Sequence, residues 1–235
     1  MKRRGRARAR SLSNSNSALL VCERAKSKKR PDANIILMQG VPMIEGKRYE
    51  CCHEAGHAVA RILIGDTIIR VCVYPNAADG PGERGGTDSK AKERECRCGG
   101  YTRNRNEDPF DTRSRIHLEP GCGECMDYLK NRIAALLAGG FATEYHAPQK
   151  HRPDDSQFDK RAIDQEFAHH NIDGPERSTI ETAGEIRARA LVCQEREAIL
   201  AMTQSLVESN GSLTGMEATQ TVRKHFSGDT LYLNL

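Results

Sequence analysis

The sequence predicts a mainly α fold of the α+β class, with one small β element among packed helices. Three observations carry that expectation. Aromatic residues make up 5% of the chain and Trp is absent, so a core must rest on Leu, Ile, Val and Ala. That supply suits packed helices better than an aromatic-rich β-sandwich. Apolar residues recur at helical spacing through most of the chain beyond residue 45. A single β-branched run, Thr67-Ile68-Ile69-Arg70-Val71-Cys72-Val73-Tyr74, stands among them and stops at Pro75.

The 235 residues suffice for one sizeable domain with a tail. Residues 1–33 read as that tail, basic and disordered, and 34–235 as the domain. In the first thirty residues Lys2, Arg3, Arg4, Arg6, Arg8, Arg10, Arg24, Lys26, Lys28, Lys29 and Arg30 face a single acid, Glu23, so the net charge of +4 belongs to the tail. Such a segment could contact a phosphate backbone or an acidic surface. Its Arg- and Ser-rich composition is shared with organelle transit peptides, but it has no apolar stretch of the kind a secretory leader carries. No apolar run is long enough for a membrane span. Nine cysteines without an export signal favour a reducing compartment, and a cytoplasmic location is expected.

In chain order, Asn34 to Met38 reads as a short strand or turn, followed by a helix from about Glu45 to Ile64. That helix contains His53-Glu54-Ala55-Gly56-His57, an H-E-x-x-H pattern. Residues four apart share one helical face, so His53 and His57 can converge on one metal ion while Glu54 reaches its open side. Two neutral nitrogen ligands suit Zn²⁺, and a carboxylate that is not a ligand can take a proton from the water the ion activates. Ala58, Val59, Ile62 and Leu63 continue an apolar stripe to Gly65-Asp66, as a helix requires. Cys51 and Cys52, beside the first ligand, read as small packing residues rather than thiolates. The strand Thr67–Tyr74 is expected to lie beside the metal as an edge that can pair with an extended polypeptide.

From about 77 to 125 the sequence is polar and Gly-rich, with few residues for a core. It reads as an insertion. Within it Cys96-Arg97-Cys98 and Cys122-Gly123-Glu124-Cys125 form two close pairs, which could bind a second, structural zinc; free thiols are the alternative. Met126 to Tyr145 predicts a strong helix with Ile133, Leu136, Leu137, Phe141 and Ala142 on its apolar face. Its Gly139-Gly140 step predicts close approach by another backbone, the motif helix being the candidate. Glu144 and His146 at its end are minor metal-ligand candidates beside ordinary surface roles. Pro153-Asp154-Asp155-Ser156 signals a helix start, with Phe158, Ala162, Ile163 and Phe167 as the buried stripe behind it. A hydrolytic zinc needs a third protein ligand. The Asp pair is the leading candidate, with plain N-capping as its rival reading and Asp159, one turn on, as the fallback. Glu176 to Glu208 reads as a long amphipathic region ended by Gly211, and Leu213-Thr214-Gly215-Met216-Glu217 opens a short final helix on an S/T-type cap. No phosphate-binding G-x-x-x-x-G-K-[ST] loop is present, so no ATPase activity is expected of this chain.

Several of these segments together resemble the peptidase domain of the FtsH-type ATP-dependent zinc metalloproteases: His53 to Ala60 (HEAGHAVA) with the strand after it, Arg132 to Glu144 (RIAALLAGGFATE), and Arg196 to Leu200 through Leu213-Thr214-Gly215. The resemblance covers about two thirds of the chain. It implies a helical zinc-peptidase domain in which His53, His57 and an Asp opening the helix after the Gly-Gly segment hold Zn²⁺. Asp155 is the first choice for that Asp, then Asp154 and Asp159. The sequence departs from the family in lacking the ATPase module and membrane spans and in carrying the cysteine-bearing insertion. The resemblance then implies a stand-alone metalloendopeptidase acting on flexible or unfolded chains, as a homo-oligomer or with a separate ATPase, and Glu54 as its general base. The rival is a zinc-stabilised regulatory protein without turnover, its basic tail contacting nucleic acid.

Overall fold

The computed structural model describes residues 47–74, 85–104, 114–119, 121–147 and 156–228. The expected tail, the expected element Asn34–Met38, and both Asp154 and Asp155 lie outside them. The described residues form six helices and two small antiparallel sheets, a mainly α arrangement of the α+β class. No helix among them is long and apolar enough to cross a membrane.

Helix α1 (Arg48–Leu63) carries the H-E-x-x-H motif and is buried on most of its circumference. Ala55, Ala58, Val59 and Ala60 are wholly inaccessible, because α2 (Gly123–His146), α5 (Arg196–Glu208) and strand β1 (Thr67–Val73) all pack on it. Small side chains let those neighbours approach. A Cβ on Gly56 would lie 2.6 Å from the Ala138 carbonyl oxygen and 2.7 Å from Ala142 Cβ of α2. The expected apolar face of α2 shifts accordingly. Ala135, Ala138 and Ala142 carry the tight contact with α1, while Leu136, Leu137 and Phe141 are only partly buried. Leu129 and Ile133, on another side of α2, belong to a second apolar cluster with Ile163 and Phe167 of α3 (Gln157–His169) and Ile180 of α4 (Gly174–Gln194).

The expected amphipathic region Glu176–Glu208 is two helices, α4 and α5, rather than one. They meet at Glu195, whose side chain is buried and accepts hydrogen bonds from Ser227 Oγ at 2.7 Å and Ser227 N at 3.2 Å. Helical periodicity continues across that one-residue break, so apolar spacing could not register it.

Strand β1 pairs on one side with β2 (Gly85–Lys90) and on the other with β6 (Ser212–Thr214). The expectation of a free edge at Thr67–Tyr74 is therefore overturned: β1 is central, and the edge beside α1 belongs to β2. The first part of the expected insertion is thus an element of the main sheet. Its Gly85-Gly86-Thr87 pairs through backbone groups and so lacks the side-chain alternation by which strands are read. The rest of the insertion contributes β3 (Arg94–Glu95), β4 (Tyr101–Asn104) and β5 (Ser114–His117), a second sheet in the order β3-β4-β5.

The final helix, α6 (Gly215–His225), opens on the expected cap. Thr214 Oγ1 accepts from Glu217 N at 3.3 Å, and Glu217 Oε2 accepts from Thr214 N at 2.8 Å, a reciprocal capping box. Gly215 lies so close to β1 that a Cβ there would fall 1.8 Å from the Ile68 carbonyl oxygen. Backbone cannot yield as a flexible side chain does. Gly215→Ala is therefore expected to destabilise the fold by about 2 kcal/mol or more, read as a lower urea midpoint at unchanged m-value.

Candidate metal centre

One turn of α1 separates His53 from His57, and the structure brings their Nε2 atoms to 3.0 Å of each other. The third partner is Asp159, in the first turn of α3: Oδ2 lies 3.3 Å from His53 Nε2, and Oδ1 3.3 Å from His57 Nε2. A tetrahedral ion with ligand bonds of about 2.0–2.2 Å sets its ligand atoms roughly 3.3–3.6 Å apart. The three separations are close to those edges. The side chains of His53 and Asp159 each retain 14% exposure, so the cluster is open on one side.

Donor chemistry agrees with the spacing. His57 Nδ1 lies 2.9 Å from the Ala135 carbonyl oxygen. A carbonyl only accepts, so Nδ1 carries a proton and Nε2 is the ring nitrogen that faces Asp159. Asp159 Oδ2 is buried without a hydrogen-bond partner. Burial alone would suppress charge on both residues, but their proximity outweighs it. In the absence of a metal the His57 imidazolium is held up to about 9, chiefly by Asp159, and the Asp159 carboxyl is held far below the usual carboxylate range by His57 and His53. Two ring nitrogens and a carboxylate aimed at one point are a donor set that fits a metal ion.

Glu54 is buried beside this group and is held from β2, whose Thr87 Oγ1 donates to Glu54 Oε2 at 3.0 Å. Two glycines make room. A Cβ on Gly85 would lie 2.9 Å from Glu54 Cγ and 2.6 Å from the Cys72 carbonyl oxygen, and one on Gly139 would lie 2.4 Å from His57 Nε2. The expected close approach at the Gly-Gly step thus falls on the second histidine. Its neighbour Gly140 meets nothing nearer than Ser156 Cβ at 3.8 Å.

Among the described residues, Asp159, the fallback, is the acid that lies against the histidines. A signal for it was present: Asp159, Ile163 and Phe167 recur every four residues, so a carboxylate sits on the buried stripe of α3. The expected stripe instead began at Phe158, which is 48% exposed. Glu144 and His146 are not part of the cluster. Glu144 lies 3.6 Å from Arg189, and His146 Nε2 lies 3.3 Å from the Val192 carbonyl oxygen. Cys51 and Cys52 are core residues, and burial pushes each thiol up to about 12.

The expected quartet of Cys96, Cys98, Cys122 and Cys125 also converges, with all four Sγ atoms within 4.8 Å of one another. None of the four is in a disulfide, nor are Cys51, Cys52 and Cys72.

Beyond the histidines, a cleft of about 510 Å³ runs between the β2 segment (Thr87, Asp88, Ser89) and α3 (Ala162, Gln165, Glu166, His169), with Arg61 and Arg132 in its wall. Arg61 donates to Ser89 Oγ at 2.9 Å and lies 3.6 Å from Asp66, while Arg132 pairs with Glu166. Neither a protein-family model nor a curated protein matches the chain.

Two outcomes follow from the geometry. Asp159→Asn should abolish stoichiometric metal binding in competition with a chromogenic chelator, whereas Asp164→Asn, on the exposed side of α3 beside Arg177, should leave it intact. Gly139→Ala should weaken metal binding by roughly 10–100-fold by displacing the His57 ring, and Gly140→Ala should leave it unchanged in the same titration.

Proposed function

We propose that this protein is a zinc-dependent metalloendopeptidase that hydrolyses peptide bonds in flexible or unfolded polypeptides. The observation that carries the reading is the convergence of His53, His57 and Asp159 beside a buried, oriented Glu54. The resemblance of the HEAGH and Gly-Gly segments to FtsH-type peptidase domains supports it. Two nitrogens and one carboxylate with an open side is a donor set that zinc accepts in hydrolytic sites. Zinc held there would supply Lewis acidity toward a scissile carbonyl and make a water available as a nucleophile near neutral pH.

The remaining work falls to the chain's own groups. Thr87 occupies Glu54 Oε2, which leaves Oε1 free to take a proton from the attacking water and return it to the departing amine. His57 Nδ1–H on the Ala135 carbonyl keeps the ring in one tautomer and orientation throughout. Among the described residues β2 is paired on one side only, and its Thr87 touches the general base. An extended polypeptide adding to that edge would lie along the cleft with its backbone next to Glu54. A folded substrate cannot offer a free extended backbone, which is why flexible or unfolded chains are the expected substrates.

Glu54→Gln is the decisive variant. It should retain one equivalent of metal at the histidine centre and the parent circular dichroism spectrum, yet lose at least about 10²-fold in the rate of casein cleavage. A metal-loaded Glu54→Gln protein that cleaves casein at the parental rate would exclude this mechanism.

A further inference from the structure

We propose that Cys96, Cys98, Cys122 and Cys125 hold a second zinc ion in a closed, purely structural four-thiolate site that fastens the β3–β5 sheet to the first turn of α2. The quartet is separate from the histidine centre and does not depend on the peptidase reading.

Geometry carries this assignment. Cys96 Sγ lies 3.5 Å from Cys122 Sγ, and Cys98 Sγ lies 3.4 Å from Cys125 Sγ. Disulfide sulfurs are about 2.05 Å apart, whereas a tetrahedral zinc with bonds of about 2.3 Å separates its sulfurs by roughly 3.8 Å. Each pair is presented by a tight turn. In the first, Cys96 N donates to the Gly100 carbonyl at 2.7 Å, Gly99 N donates to the Cys96 carbonyl at 3.0 Å, and Gly99 has φ +99°. In the second, Cys122 N donates to the Glu119 carbonyl at 3.2 Å around Gly121, with φ +77°, before Cys122 caps α2. Gly100 lies against the sulfurs: its N–H donates to Cys98 Sγ at 3.4 Å, and a Cβ there would fall 2.5 Å from Cys125 Sγ. Four sulfur donors with an N–H aimed at one of them suit a soft or borderline cation, zinc before any oxygen-seeking ion.

The sheet has need of such a fastening. Its strands are two, four and four residues long, and the segment adds little more than Cys96, Ile116 and Leu118 to the apolar cluster beneath it. A unit that poor in core is stabilised where a metal ties it to a larger element. That element is α2, which carries Ala135 and Gly139 against His57 about 15–21 Å further along. The sheet also reaches α3: the Ile116 carbonyl meets His169 Nε2 at 3.3 Å, and Ile116 lines the cleft.

The test uses the full chain purified in zinc, and its Co²⁺-substituted form. The parent should contain two equivalents of zinc, and Co²⁺ should add an intense near-ultraviolet sulfur-to-metal band. Cys98→Ser and Cys122→Ser should each fall to one equivalent and lose the band, while Asp159→Asn should also fall to one equivalent yet keep it. As a measurement that needs no variant, zinc should protect these four thiols of the native parent from alkylation, and a chelator should expose them. A parent with no thiolate band, iron in place of zinc, or recovery of the quartet as two disulfides from reduced, zinc-supplied protein would each overturn the assignment.

Discussion

The close approach of α1 and α2 is the constraint on which the rest depends. Two helix backbones can come this near only where the side chains between them are glycine or alanine, as at Gly56, Ala138, Gly139 and Ala142. The contact is also chemical. With Gly139 under the ring and the Ala135 carbonyl at Nδ1, His57 has one tautomer and one direction in which to present its lone pair. Packing and ligand orientation are therefore the same interaction, and a methyl group added at Gly139 would disturb both.

Helix α3 completes the centre from the opposite side. Along one face it presents Asp159 to the histidines, Ile163 and Phe167 to the apolar cluster, and Glu166 to Arg132. Buried ion pairs stabilise little on balance, because desolvation offsets most of the attraction, but breaking one leaves a charge without compensation. Arg132–Glu166 thus contributes chiefly by fixing where α3 sits, and so where its first-turn carboxylate falls. Arg61, one turn beyond His57 on α1, is tied by Asp66 and Ser89 in the same wall of the cleft.

The sheet joins the two ends of the domain to this centre. Strand β1 leads directly from α1, β2 brings Thr87 to Glu54, and β6 returns from the C-terminal helices with Gly215 pressed on the Ile68 carbonyl. Because β1 is occupied on both sides, the edge next to the general base is β2, a segment with almost no apolar side chains. Its place in the fold comes from ladder hydrogen bonds and from the glycines that let it pass over Glu54.

What the sequence determined by itself was whatever depends on local period. The four-residue spacing of His53 and His57, the helix around them, the Gly-Gly approach, the Thr214–Glu217 cap and the two cysteine pairs can all be read within a few residues, because helix and turn geometry repeat at that scale. The choice among Asp154, Asp155 and Asp159 was of another kind. Three acids near one helix start have nearly the same local signature, and that Asp159 meets a helix a hundred residues earlier is set by the rotation of α3 about its own axis. That rotation is decided by Ile163, Phe167 and Glu166 against α2, contacts no short window contains. The same holds for β1 as a centre rather than an edge, for the break at Glu195, and for the meeting of the cysteine pairs. Each is a long-range contact, and only the packed chain specifies it.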